Sequence, residues 1–374
     1  MDNGAIRYEP RDALHPGEMV VEYLEFNAWS QNDLARRTGL TPKTISEICN
    51  SKTPITPSTA LALEKVFQRP AHLWLNLQRQ YDEAVARGRF RLQSAEWNDW
   101  VANFPLAEMK KHKWIEPKAA ESDIDALLAF LGVSSPASWA SVWSASHVAY
   151  RQTQKFRTRP ESVAVWVRAT ELAAGMLDVA SFDERRLLSS LDELRHYTTM
   201  SANKIIEPVQ ALCGAAGVAV VWVPELSHIG ISGCARWMTS SKALIALTLR
   251  HKTDDQMWFT FFHELGHILL HRKTCAFVID NAEENLLDKV IDPQMQKQED
   301  EANRFAADTL IPPEAMNIFR EINDFDSDSI LRFADAVGVG PGLVVGRLQF
   351  EKLLKPHQGN AFKQKLRFGT DEKP

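Results

Sequence analysis

Phe261-Phe262-His263-Glu264-Leu265-Gly266-His267-Ile268-Leu269-Leu270-His271 is the stretch on which the reading of this chain turns. Apolar residues surround a His-Glu-x-x-His pattern, and the run from about residue 256 to 272 predicts a helix. On a helix, residues four apart share a face about 6 Å apart along the axis, so His263 and His267 can hold one Zn²⁺ with Zn–N of roughly 2.0 Å. Glu264 stands beside them and can take a proton from water. His271 is about 12 Å from His263 along the axis, too far to join the same ion, and is assigned to packing or substrate contact.

The neighbouring segments supply a setting. Upstream, Gly217-Val218-Ala219-Val220-Val221-Trp222-Val223-Pro224, Ile231-Ser232-Gly233 and Ala243-Leu244-Ile245-Ala246-Leu247-Thr248-Leu249 read as two or three strands. Downstream, after an acidic loop, residues 298–310 predict a helix stopped by Pro312-Pro313. A third ligand is sought there, between Glu299 and Glu301. The apolar face of that helix is set by Ala302, Phe305, Ala306 and Leu310; Glu299 falls within about 40° of its centre and Glu301 about 120° away. An inward carboxylate is costly unless a cation or hydrogen bonds compensate it, which selects Glu299. Asn303, one turn on, is placed to hydrogen-bond a ligand imidazole. For stabilising an oxyanion, Tyr150, Tyr197 and His228 are the candidates. The strand at residues 243–249 is a candidate for aligning an extended substrate.

The N-terminal part has a different texture. Ser30 caps a short helix ended by Gly39, and Thr41-Pro42 opens a second through Cys49. Thr56-Pro57 repeats the device for a helix to Phe67, and Pro70 starts one running to about Arg87. Two short helices about a glycine turn fit a helix-turn-helix. Its second helix would present Lys43, Thr44, Ser46, Glu47 and Asn50, followed by Lys52, while Gln31 sits at a helix start suited to phosphate. Residues 30–52 carry Arg36, Arg37, Lys43 and Lys52 against Asp33 and Glu47, a balance that predicts modest non-specific DNA affinity.

With 374 residues, 45% hydrophobic and 24% charged, the chain excludes disordered and fibrous classes and suggests two to three domains. A net charge of −5 excludes a wholly basic nucleic-acid coat. No uninterrupted apolar run approaches the roughly 18 residues of a membrane span, and the first ten residues lack the order of a signal peptide. The expectation is a cytoplasmic protein with no membrane partner. Four cysteines, at 49, 213, 234 and 275, are too few for a disulfide framework and are expected to stay reduced. Trp97, Trp100, Trp114, Trp139, Trp143 and Trp166 in the helical residues 91–200 are expected to pack helices together.

Two resemblances follow from these blocks. His15-Pro16-Gly17-Glu18, Ser30-Gln31-Asn32-Asp33-Leu34-Ala35, Ile45-Ser46-Glu47-Ile48, Ile55-Thr56-Pro57-Ser58-Thr59-Ala60-Leu61 and Trp74-Leu75-Asn76-Leu77-Gln78 closely resemble HigA-type antitoxins, members of the Xre/Cro helix-turn-helix repressors. That resemblance implies a dimeric module binding operator DNA, with its second helix in the major groove, and able to bind a RelE-like toxin. The strands above, Trp258-Phe259-Thr260, residues 263–271 and Glu299-Asp300-Glu301-Ala302-Asn303-Arg304-Phe305-Ala306-Ala307 resemble the ImmA/IrrE metallopeptidases. Phe104-Pro105-Leu106 to Trp114-Ile115 looks like the helical lead-in of longer members. This implies a gluzincin-like zinc endopeptidase that cuts a partner protein, usually a helix-turn-helix repressor. The family's Glu-x-x-x-Asp/Asn pattern falls on Glu299 and Asn303.

The expected fold is therefore α+β and mostly helical: an N-terminal five-helix helix-turn-helix bundle (residues 1–90), a helical middle region (91–200), a gluzincin-like catalytic domain with a small sheet (201–355) and a tail (356–374). The expected metal site is His263, His267 and Glu299 around Zn²⁺, with Glu264 catalytic. The alternative is a non-catalytic antitoxin-like repressor whose zinc domain is a sensor or docking module.

Overall fold

The computed structural model describes residues 14–116, 122–151, 159–201, 204–227, 229–248, 253–271, 276–279 and 293–366. They fall into two compact units, Met1–Asn98 and Asp99–Pro374.

The first unit holds five helices: α1 (Pro16–Phe26), α2 (Gln31–Thr38), α3 (Pro42–Cys49), α4 (Pro57–Phe67) and α5 (Ala71–Ala95). The first four start on side-chain caps, with His15, Ser30, Thr41 and Thr56 accepting from the backbone N–H of Gly17, Asp33, Thr44 and Thr59. Val20, Leu24, Leu34, Ile45, Ile48, Leu63 and Trp74 fill the core. Gly17 permits α1 to approach α3, because a Cβ there would lie 1.9 Å from the Ile48 carbonyl oxygen. Helix α5 runs two turns past the expected end at Arg87. Gly88 alone costs only about 1 kcal/mol in a helix, and the Glu83–Arg87 pair at 2.9 Å supports the turn just before it.

The second unit begins with α6 (Asn98–Val101), α7 (Leu106–Lys111), α8 (Asp123–Leu131), α9 (Pro136–Arg151), α10 (Pro160–Gly175), α11 (Glu184–Ser189), α12 (Leu191–His196) and α13 (Ile206–Ala215). The strands are β1 (Val218–Trp222), β2 (Ile231–Thr239), β3 (Lys242–Leu247) and β4 (Ala276–Ile279), in the order β1-β3-β2-β4. Helix α14 (Asp254–Leu270) separates β3 from β4, and α15 (Pro293–Leu310), α16 (Pro313–Ile322), α17 (Ser327–Val337) and α18 (Pro341–Phe350) follow. Trp258, Phe261, Phe262, Leu265 and Ile268 of α14 join Val218, Val220, Ile245 and Leu247 in one core.

Three features of the fold bear on those expectations. First, β3 is paired on both sides, parallel to β1 and antiparallel to β2, so its backbone groups are consumed and it cannot align a substrate. Among the described residues the sheet edges are β1 and β4. Second, the two compact units meet at Asn98, and residues 99–200 are grouped with the sheet. Middle helices are locked to the sheet: Arg236 of β2 meets Glu171 of α10 at 2.8 Å, and Arg168 meets the same carboxylate at 2.9 Å. Trp139, Trp143 and Trp166 are buried there, as expected of packing residues. Third, residues 356–366 are not loose. Lys363 Nζ sits 2.6 Å from Asp255, the Asp254 backbone N–H donates to the Gln364 carbonyl while the Gln364 N–H donates to Asp254 Oδ1 at the start of α14, and Leu366 joins the core. Separately, the stretch Asp123–Trp143 is long and apolar enough on average to match a membrane span, but left-handed Gly132 (φ 67°) divides it between α8 and α9.

The Asp254 clamp carries a pH signature. Burial pushes its carboxyl up to about 6 from an ordinary 3.8. A raised folded-state value favours the protonated folded chain, so this contribution is present below about pH 4 and lost as pH rises through about 6. Two pKa units correspond to about 3 kcal/mol as an upper bound. We expect Asp254→Asn, which keeps an oxygen acceptor, to gain about 1–3 kcal/mol over wild type between pH 4.5 and pH 7.5 in urea titrations. A difference independent of pH would show that Asp254 is charged throughout.

Candidate functional site

Helix α14 is buried on nearly all sides, and its polar centre is buried with it: His263 and His267 are 2% exposed and Glu264 is 0%. Three titratable groups at this depth are costly without a compensating partner. The partner is α15. Gly266 lets it approach closely, since a Cβ there would lie 3.3 Å from Ala302 Cα and 3.0 Å from the Phe305 ring. That crossing brings Glu299 over the two imidazoles.

His263 Nε2 and His267 Nε2 lie 2.9 Å apart, Glu299 Oε2 is 3.2 Å from His263 Nε2, and Glu299 Oε1 is 3.4 Å from His267 Nε2. Among the described residues, His263, His267 and Glu299 have ligand atoms within 4.8 Å of one another, which suits one metal ion. Burial pushes the His267 imidazole down, toward the neutral form a metal requires. Asn303 Oδ1 lies 2.8 Å from His263 Nδ1 and accepts from it, leaving the Nε2 lone pair facing Glu299. Gly233 of β2 makes room for Glu264: a Cβ there would lie 2.7 Å from Glu264 Oε1.

Reading the sequence alone missed the next contacts. His271 Nδ1 lies 3.1 Å from His267 Nδ1, and His271 Nε2 lies 2.9 Å from Glu301 Oε2. Of the oxyanion candidates, Tyr197 donates its hydroxyl to Glu193 at 2.6 Å, while His228 and the Tyr150 side chain lie outside the described residues. Cys49, Cys213 and Cys234 form no disulfide among the described residues, Cys213 is pushed up to about 12 by burial, and Cys275 lies outside the described residues.

In the first unit, Ile45 and Ile48 turn α3 inward and leave its other face to solvent. Lys43, Asn50 and Lys52 are exposed, as is Gln31 at the start of α2; Thr44, Ser46 and Glu47 are half-buried. Several are already engaged with each other: Lys43 pairs with Glu47 at 3.8 Å, and Asn50 Nδ2 donates to the Ser46 carbonyl at 2.7 Å. Arg37 covers the Trp29 ring at 3.9 Å.

Comparison with known proteins places both units. Residues 27–74 match a helix-turn-helix family model, and residues 238–349 match the model of the IrrE N-terminal-like domain. Over 75 residues the chain is 40% identical to virulence-associated protein I of Dichelobacter nodosus, covering 20% of this chain and 69% of that protein. The chain belongs to the helix-turn-helix regulators, with an IrrE-like domain joined to it. A second relative is the uncharacterized HTH-type transcriptional regulator YddM of Escherichia coli K12, 32% identical over 71 residues, 19% of this chain and 76% of that one. A HigA-family addiction module antidote protein from Coxiella burnetii is 34% identical over 22% of this chain and 92% of its own, with a TM-score of 0.22. Pseudomonas aeruginosa HigA, solved with the higBA promoter, is 30% identical over 22% and 90%, with a TM-score of 0.21. This is thus a DNA-binding helix-turn-helix regulator fused to a domain of a metallopeptidase family. The IrrE-like match includes α14 and α15, and so both halves of the His263–His267–Glu299 cluster.

Proposed function

We propose that the IrrE-like domain is a zinc-dependent endopeptidase that cleaves a regulatory protein, and that the HigA-like module directs the same chain to an operator. The observation that carries the peptidase reading is the convergence of His263 Nε2, His267 Nε2 and both Glu299 oxygens beside a buried Glu264. These donors fit Zn²⁺, being two imidazoles and a carboxylate, the set found with a water in catalytic zinc sites. His263, His267 and Glu299 would hold the ion. When bound, it supplies Lewis-acid polarisation of the scissile carbonyl. Glu264 accepts the proton of the attacking water and delivers it to the leaving amine, both within the shelter of α14 and β2. Asn303 holds His263 in the tautomer whose Nε2 is a lone pair. Incubation of the zinc-loaded chain with purified helix-turn-helix repressors from its host tests the reading. Defined fragments, absent with Glu264→Gln, are expected; an intact panel would favour a sensor or docking domain.

For the first unit, we propose binding to a palindromic operator as a homodimer, with half-sites about 34 Å apart. A RelE-like toxin is the proposed second partner of the same module, and the cytoplasm, where operator DNA lies, is its proposed place of action. Gln31 and Lys52 are assigned to phosphates, and Lys43, Thr44, Ser46, Glu47 and Asn50 to the groove-facing surface. Lys43→Ala and Ser46→Ala should each weaken specific binding by about 1–3 kcal/mol if they touch bases. Footprinting on the protein's own promoter, followed by titration of both variants, measures this; no protected site would leave the module a protein-interaction domain.

A further inference from the structure

The two ligand imidazoles are buttressed differently. Behind His263 stands an amide, Asn303, at 2.8 Å. Behind His267 stands another imidazole, His271, four residues on at the C-terminal cap of α14, and behind that the carboxylate of Glu301 on α15. The three side chains form a line from the surface to the metal cluster. Glu301 is 42% exposed at its side chain, His271 5% and His267 1%.

Hydrogen-bond polarity along this line is determined from its outer end. An ionised carboxylate only accepts, so the 2.9 Å contact places a proton on His271 Nε2. A neutral imidazole with Nε2–H has a lone pair on Nδ1. The 3.1 Å contact between the two Nδ1 atoms then requires His267 to be the donor. His267 Nδ1 carries the proton, and its Nε2 becomes a lone pair facing His263 Nε2 and Glu299 Oε1. Asn303 imposes the same outcome on His263, so the inner ends of both rings are lone pairs, 2.9 Å apart.

We propose that Glu301 and His271 are a positioning pair that locks His267 in its Nδ1–H tautomer, with the Nε2 lone pair aimed at the metal. This rests on the zinc-site reading above. It also gives His271 a use that its 12 Å separation from His263 had denied it as a ligand. Neither residue touches substrate or the reacting water; both act through His267.

The test is zinc affinity, measured by competition with a chromogenic chelator on full-length protein, together with the ¹⁵N–¹H two-bond correlation of labelled histidines, which reports each ring's tautomer. Glu301→Ala and His271→Phe should bind zinc about 10–100-fold more weakly. Glu301→Gln, whose amide oxygen still accepts from His271, should stay within about threefold of wild type. In apo Glu301→Ala the His267 signals should move from the Nδ1–H pattern toward a mixture. Glu301 is partly exposed, so its variants should fold, and far-ultraviolet circular dichroism verifies that they do. If wild type binds zinc and Glu301→Ala and His271→Phe match it, the positioning role is wrong while the zinc site stands. If Glu301→Gln falls as far as Glu301→Ala, tautomer locking is wrong. If wild type binds no zinc, the zinc-site reading falls and this inference with it.

Discussion

Glu264→Gln is expected to hold zinc and lose peptide hydrolysis by about 10²–10⁴-fold, whereas His263→Ala is expected to lose both. The two substitutions lie side by side in α14 but remove different things. Glutamine has the size of glutamate, and Glu264 is not among the three residues whose donor atoms converge, so the metal donors stay in place. What disappears is the group that accepts a proton, because an amide oxygen is far too weak a base. His263→Ala opens the donor set and leaves Asn303 without the ring it orients. Metal analysis of the purified variants beside a fragment assay separates the cases. Undiminished cleavage by Glu264→Gln would remove Glu264 as the base. Loss of zinc in that variant would mean that Glu264 helps to hold the ion.

Local signals were enough for most helices because caps and breakers act within a few residues. Thr41-Pro42 and Thr56-Pro57 start α3 and α4, and Gly39, with φ 71°, follows α2. His263 and His267 were legible as a pair because a four-residue spacing has one meaning on a helix. Glu299 was legible because the apolar face of α15 has a direction. The remaining features depend on how elements meet. That β3 is interior follows from its parallel pairing with β1, a contact no strand encodes in its own composition. Strand β4 is only four residues long and precedes the stretch read as an acidic loop. The His271–Glu301 contact needs the close crossing of α14 and α15 at Gly266 and Ala302. A helical wheel puts Glu301 on the flank of α15, where its backbone position suggests solvent; the length of its side chain carries it back to His271. The signal available was His271 itself, a third histidine at the same four-residue interval, with no role as a ligand.

Glu299→Ala is expected to lower zinc affinity well beyond the 10–100-fold typical of a change outside the donor set, and to abolish cleavage. Glu299 is the only member of the convergent trio on α15, so removing it deletes a donor and the only carboxylate of that trio. Its oxygens lie 3.2 Å and 3.4 Å from the Nε2 lone pairs of His263 and His267, a convergence of acceptors that a shared cation would compensate. Glu299→Gln should fall between wild type and alanine, because one neutral oxygen remains while the charge is lost. Glu301→Ala touches the same helix two residues on, yet acts only through His271, and its effect should be the smaller. Chelator competition on the three variants ranks them directly. Should Glu301→Ala lose more zinc than Glu299→Ala, the third ligand is assigned to the wrong carboxylate, and His267 together with His271 would have to be reconsidered as the core of the site.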